Sequence, residues 1–273
     1  MDTVDTVSEG TGQDGSLFLC HHRFVHRLLP APPLTITPRS DVEVLAAHYA
    51  YPGNGAVRAN MVASIDGAIS LDGRSQPISG DSDWFLFGLQ RALADVIVVG
   101  AGTARAEGYG PGRARPEFAA LRERAGQPAA PTLALVTASG RLDPSADYFG
   151  GTSRAIVITC SAAPAVHVDP LRGVADVVVS GDGSVDLRGA LAALRERGLR
   201  RILTEGGPSL LGTLAADDLI DEVAATTSPS LIGGDAPRMV VGAPGAVRPL
   251  TLVGLLEDDG ALFTHYRRFR GGS

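Results

Sequence analysis

The chain contains no lysine: all 24 of its basic residues are arginine. That excludes a Schiff-base lysine, a pyridoxal-phosphate lysine and the Gly-Lys-Ser/Thr phosphate loop. Cysteine is nearly as scarce. Cys20 and Cys160 stand far apart with no CxxC, so neither a zinc site nor a disulfide framework is available, and a reducing cytoplasm is the expected compartment. No apolar run approaches the roughly 18 residues that a membrane-spanning helix needs. The N-terminus also lacks a basic segment followed by an apolar one, so neither a membrane nor export is expected. The six histidines form no HExxH or other ligand spacing, and no metal role is assigned to them. A Gly-x-Ser-x-Gly elbow is missing, which argues against a serine hydrolase. With a net charge of −6 and no basic stripe, nucleic acid is not expected as a partner.

What is present fits a loop-rich α/β protein: 273 residues, 44% hydrophobic, with 34 glycines and 18 prolines. Met1 to about Ser16 is acidic, rich in Gly, Ser and Thr and without apolar periodicity, so residues 1–25 read as a disordered leader before a single domain over 26–270. Pro30 to Pro38 reads as a connector and Asp41 to Ala50 as a short helix. Val57 to Ser64 reads as a strand running into the turn Ile65-Asp66-Gly67. A helix with acids in its first turn follows Ser79-Gly80. Val96–Val99 is an uninterrupted apolar run, as suits a strand covered on both faces, and it ends in Gly100-Ala101-Gly102-Thr103. Further apolar runs begin at Thr132, Ala155 and Val177, and leucines 187, 191 and 194 mark an amphipathic helix. The tail, with Asp258-Asp259-Gly260 between two strands, reads as a hairpin. Strands alternating with helices, closed by this hairpin, imply a mixed sheet with helices on both faces.

The stretch Arg201–Leu211 concentrates the chemistry. It reads as a buried strand, a Gly206-Gly207 turn and a helix opened by Pro208 and Ser209. Adjacent glycines let a backbone approach a ligand, and first-turn amides favour a phosphate. Glu205, at the strand end, is either aimed at a ligand or a cap for neighbouring amides. The two glycine turns, at 100–103 and 205–207, would lie side by side if their strands are neighbours, and could then cradle a pyrophosphate. Gly100-Ala101-Gly102 lacks the third glycine of a Rossmann fingerprint. Asp66 is either a functional carboxylate or a plain Asp-Gly turn residue. Arg91 interrupts an otherwise apolar helix and either snorkels or meets a phosphate, while Arg113 and Arg115 sit in a glycine-rich loop suited to a clamp.

Asn60–Gly67, then Ile78–Gly80, then Arg91–Thr103, then Thr204–Leu211 with Asp221-Glu222 resemble the successive motifs of the riboflavin-biosynthesis pyrimidine reductases, the reductase half of bifunctional deaminase/reductases. The resemblance implies a dihydrofolate-reductase-like fold: a mixed, mostly parallel sheet flanked by helices, with a C-terminal antiparallel hairpin. It implies NADPH as cofactor, a phosphorylated pyrimidine as substrate and a homodimer. The implied reaction reduces the ribosyl group of 5-amino-6-(5-phosphoribosylamino)uracil to a ribityl chain. By the same resemblance, Gly100, Gly102, Thr103, Thr204, Gly206, Gly207, Pro208, Ser209 and Leu210 would line the cofactor. Asp66 and Glu205 would face the reacting carbon, and Asn60, Ser75, Ser79, Arg91 and Arg113 would meet the substrate. Ser139 and Arg141 are candidates for the cofactor's 2′-phosphate.

Three departures stand out. The chain has no zinc-binding deaminase set, Asn60 replaces a frequent lysine, and Glu107 replaces a frequent aspartate. The competing readings are a reductase of a related pterin or dihydrofolate-type substrate and a catalytically silent nucleotide-binding module.

Overall fold

The computed structural model describes residues 9–11, 17–19, 25–113 and 115–269. Most of the expected leader lies outside these residues. Its described parts, Glu9–Thr11 (β1) and Leu17–Leu19 (β2), pair antiparallel. The remaining strands are Val25–Leu29 (β3), Leu34–Ile36 (β4), Ala56–Ser64 (β5), Val96–Gly100 (β6), Thr132–Val136 (β7) and Ala155–Thr159 (β8). Ala175–Val179 (β9), Arg201–Thr204 (β10), Glu222–Ser228 (β11), Thr251–Asp258 (β12) and Ala261–Arg267 (β13) complete them. The helices are Val42–His48 (α1), Asp81–Leu93 (α2), Ala101–Ala106 (α3), Ala119–Arg124 (α4), Ala165–Val168 (α5), Leu187–Glu196 (α6) and Pro208–Ala216 (α7).

One 11-stranded sheet runs in the order β4-β3-β12-β13-β11-β5-β10-β6-β7-β8-β9. From β11 to β9 every neighbouring pair is parallel, and from β4 to β11 every pair is antiparallel. The expected mixed, mostly parallel sheet with a terminal hairpin is therefore what the chain forms. The hairpin turns where it was expected to: Asp259 (φ 49°) and Gly260 (φ 78°) both take the left-handed conformation that a tight two-residue turn needs. The Pro-rich segment read as a connector contains β4. As the outermost strand, β4 tolerates flanking prolines that an inner strand could not.

Alternation along the buried strands builds a core on each face. Val96, Val98, Ile156, Ile158 and Ile202 pack against leucines 187, 191 and 194 of α6 and Leu210 and Leu214 of α7. Ile97, Val99, Leu133, Leu135, Val157 and Leu203 face the other way, with Ala101 and Ala104 of α3. A third cluster joins α1, α2 and α4 to Ala224, Leu256 and Phe263 of the antiparallel part. Under this cluster lies an ionic ladder of residues paired in register across β5, β11 and β13. Fully buried Glu222 accepts from Arg58 Nε and Nη2 (2.9 and 2.6 Å) on one oxygen and from Arg267 Nε (2.8 Å) on the other. Burial opposes its charge, and His265 together with Arg58 overrides that penalty and holds the carboxyl at about 2.

The antiparallel part is covered on one face only. Val223, Ala225 and Thr227 of β11, paired with Tyr266, Thr264 and Leu262 of β13, remain half-buried or exposed on the other.

Candidate active site

β10 is late in the chain but lies between β5 and β6, parallel to both. The C-terminal ends of these three strands therefore meet, and open α/β sheets bind ligands at such ends. A cavity of about 520 Å³ lies there. The two glycine turns adjoin as their strands required. Gly100 N donates to Gly206 O (2.8 Å), and a Cβ on Gly100 would stand 3.6 Å from Gly207 N. Gly206 has φ 81°, the Gly206–Gly207 peptide is cis, and a Cβ on Gly207 would collide with the Thr103 hydroxyl. Only glycine leaves the 206–207 backbone open to the cavity.

Glu205 projects from this turn into the cavity wall, with its side chain 2% exposed. Arg91 from α2 meets it as a fork, Nε to Oε1 and Nη2 to Oε2, both 2.7 Å. Tyr109, from the loop after α3, donates its hydroxyl to Oε2 at 2.6 Å. The guanidinium also stacks on Phe87 (4.2 Å) and Tyr109 (5.1 Å). Burial works against the Arg91 charge, and the adjacent carboxylate overrides it and holds the group above its ordinary value. Burial and the same carboxylate push the Tyr109 hydroxyl well above 10. Arg91, expected either to snorkel or to meet a phosphate, has its fork engaged by Glu205.

Helix α2 supplies a second wall. Asp83, Phe87, Gln90 and Arg91 share one face at helical spacing, and three of them, all but Gln90, line the cavity. Asp83 is half-buried and accepts from Thr226 Oγ1 (2.6 Å) and from the Ser79 hydroxyl. Burial raises its pKa, opposed by these two bonds. Asn60 lies beside it on the lining, its Oδ1 accepting from Gln90 Nε2 (3.0 Å).

Of the residues singled out in the sequence, Asn60, Ser75, Ser79, Arg91, Thr103, Glu205, Gly207 and Pro208 line this one cavity. Gly100 and Gly206 support the paired turns, Thr204 is buried beneath them, and Gly102 and Ser209 are exposed near them. Leu210 belongs to the core instead of the lining. Asp66 and Arg113 are exposed and are not brought to the cavity. The Asp66 carboxylate accepts from Ser64 Oγ (2.5 Å), Gly233 N (2.7 Å) and Ile232 N (3.2 Å), which hold it at about 2. It ties the β5 turn to the loop after β11. Glu107 accepts from the Ser75 amide (2.9 Å), so this cavity residue has a structural partner. Sequence reasoning passed over Tyr109 and Asp83. An i, i+4, i+8 reading of α2 from Asp83 to Arg91 was the available signal for Asp83, whereas nothing local marked Tyr109.

The paired turns, the open 206–207 backbone and the first-turn amides of α7 fit the phosphates and nicotinamide end of a dinucleotide. No helix among the described residues is long and apolar enough to cross a membrane.

Comparison with known proteins places this site in context. The family model described as RibD C-terminal domain matches residues 56–262. The 2,5-diamino-6-ribosylamino-4(3H)-pyrimidinone 5′-phosphate reductase of Archaeoglobus fulgidus is 32% identical over 185 residues, covering 67% of this chain and 84% of that one. The reductase of the same name from Methanothermobacter thermautotrophicus is 29% identical over 186 residues, 68% and 83% of the two chains. Among solved structures, a pyrimidine reductase-like protein from Corynebacterium diphtheriae superposes with a TM-score of 0.74 at 28% identity, over 83% of this chain and 98% of that chain. RibD of Acinetobacter baumannii shares the fold at 17% identity and a TM-score of 0.63, over 86% and 62% of the two chains.

Proposed function

The chain belongs to the RibD C-terminal domain family, the pyrimidine reductases of riboflavin biosynthesis, and from that premise we propose that residues 26–270 form one NADPH-dependent reductase domain acting on a 5-amino-6-(5-phosphoribosylamino)pyrimidine. The protein is an oxidoreductase, and its family implies a nicotinamide cofactor. The sequence resemblance names the uracil form of the substrate, whereas the archaeal relatives are named for the 2,5-diamino-4-pyrimidinone form. The two share the reacting ribosylamino carbon.

Reduction opens the ribosyl ring, leaves a proton on the departing ring oxygen and adds a hydride to C1′. The cofactor supplies the hydride, and the protein's task is to position both ligands. One observation carries the reading: two glycine turns on adjacent parallel strands share a cavity wall with a carboxylate fixed by three donors. Gly207, Pro208 and Thr103 would hold the cofactor's nicotinamide end, with Gly100, Gly102 and Ser209 along its phosphates. Glu205, unable to rotate, would orient the sugar hydroxyls so that C1′ meets the hydride. We assign Asp66 to the loop tie and not to the chemistry.

For NADPH over NADH, Arg141 is the candidate, beside Arg105, whose Nη1 donates to the Arg141 carbonyl (3.1 Å). The uncovered face of β11 and β13, with Val223, Ala225, Leu262 and Tyr266, is the surface for a second copy in a homodimer.

Purified protein mixed with NADPH and either phosphoribosylaminopyrimidine should lose absorbance at the nicotinamide band, and Glu205→Gln should abolish that loss. NADPH that binds but stays reduced with both substrates would defeat the reading. Turnover confined to dihydrofolate would replace it with a pterin reductase.

A further inference from the structure

The cavity floor next to α2 is built from fixed polar groups that the hydride transfer does not use. Asn60 of β5 and Thr226 of β11 share one face of the sheet, because Ala224 is in register with Asn60 and Thr226 lies two residues on. Asp83 faces them from the first turn of α2. Gln90 donates to Asn60 Oδ1, which turns the Asn60 amide nitrogen away from Gln90. Asp83 is aimed by Thr226 and Ser79. The floor therefore offers one donor group, Asn60 Nδ2, beside one carboxyl acceptor.

We propose that Asp83 and Asn60 read the pyrimidine edge, and that they select the 2-amino-4-pyrimidinone over the uracil, so that reduction here precedes removal of the 2-amino group. The inference rests on the function proposed above and names its substrate. A 2-amino-4-pyrimidinone presents, along one edge, a 2-NH₂ donor, an N3–H donor and an O4 acceptor. The two donors match the two oxygens of Asp83 as a fork, and O4 matches the Asn60 amide. Uracil presents O2 in place of the 2-NH₂. That oxygen would face a carboxylate oxygen with no proton between them, and one charge-assisted bond would be lost while an acceptor was left unpaired.

The test compares kcat/KM for 2,5-diamino-6-ribosylamino-4(3H)-pyrimidinone 5′-phosphate with that for its deaminated uracil counterpart, in the parent and in Asp83→Asn. The parent should favour the 2-amino form by roughly 10- to 100-fold, the factor set by one charge-assisted hydrogen bond lost. In Asp83→Asn the amide supplies one acceptor and one donor, matching N3–H and O2, so the preference should vanish or invert. Thr226→Val keeps the carboxylate but removes the hydroxyl that aims it, and should lower the ratio part of the way. Equal kcat/KM for the two substrates in the parent, or a ratio unchanged in both variants, overturns the proposal. Calorimetric titration of the sugar-free bases, 2,5,6-triamino-4-pyrimidinone and 5,6-diaminouracil, reads the same preference without turnover. Base preference that depends on Asp83, with no turnover of either phosphate, would uphold the edge reading and defeat the reductase reading. Equal turnover of both phosphates would do the opposite.

Discussion

Replacing Glu205 by glutamine tests whether the Arg91–Glu205–Tyr109 cluster organises the site. The substitution preserves shape and one acceptor. It removes the charge, however, and turns an NH₂ group either toward Arg91 Nε or toward both Arg91 Nη2 and the Tyr109 hydroxyl, all of which donate in the parent. Breaking one partner of a fully buried ion pair costs about 3–5 kcal/mol, whereas an exposed pair is worth about 0–1 kcal/mol. Glu205 is 2% exposed and Arg91 31%, so the pair lies between these limits, nearer the buried one because Tyr109 and Phe87 cover the guanidinium. We expect a loss of about 2–3 kcal/mol. For a chain of this length that lowers Tm by roughly 5–10 °C, measurable by circular dichroism. Arg91→Met combined with Glu205→Gln should cost clearly less than the sum of the two, since the partners are already separated. NADPH oxidation should fall with Glu205→Gln even at temperatures where the variant is folded. A Tm within 1 °C of the parent, or strict additivity in the double variant, would refute the argument that this cluster fixes the turn.

Gly207→Ala should fold but bind NADPH at least tenfold more weakly in calorimetry, because its Cβ meets the Thr103 hydroxyl at the mouth of the turn; unchanged affinity would remove this turn from the cofactor site. Leu262→Glu places a charge on the uncovered face of β13 and should shift sedimentation from the proposed dimer to monomer; a sedimentation coefficient equal to the parent's would relocate or eliminate the interface. Acid should destabilise the protein through His48, whose pKa is lowered to about 4 by burial and then by His265, Arg27 and Arg58. The folded state resists that proton, so stability is complete above the unfolded value near 6.5 and is lost as pH falls toward 4, by at most about 3 kcal/mol. Thermal melts between pH 7.5 and 4.5 should show this slope, and His48→Phe should flatten it.

The sheet was largely legible because its strands carry their own signals. Val96–Val99 and Ala155–Ile158 are apolar without interruption, as strands covered on both faces must be. The glycine turns were legible as a conditional: each is weak alone, and their adjacency waited on β10 pairing with β6. Asp66 shows the opposite case. Its partners are Ser64, two residues back, and a loop some 166 residues on, and only the second reveals that its carboxylate is already engaged away from the cavity. Arg91 reads in sequence as an available cation, since nothing near it is acidic on the same helix face but Asp83; its partner comes from a different strand. Tyr109 is flanked by glycines that look like a solvated loop, and the carboxylate its hydroxyl meets lies 96 residues later. What sequence reasoning missed was therefore contact between distant segments, not local conformation.

The late insertion of β10 explains why those contacts fall where they do. In sequence β10 follows β7, β8 and β9, yet in the sheet it sits between β5 and β6, and it carries Glu205 and both turn glycines to its C-terminal end, beside groups contributed by much earlier segments. Arg91 and Asp83 on α2 and Tyr109 after α3 belong to the segments flanking β6, so they stand around the end of β10. Without Glu205, Arg91 would be an unpaired, partly desolvated charge; the ion pair therefore couples the position of β10 in the sheet to the geometry of the site. The residue proposed to orient the substrate thereby also stabilises the fold, and its loss should lower activity and Tm together. Asp83, held by Thr226 on the other side of β5, belongs to a separate network, so its substitution should alter substrate choice while leaving Tm within a few degrees of the parent.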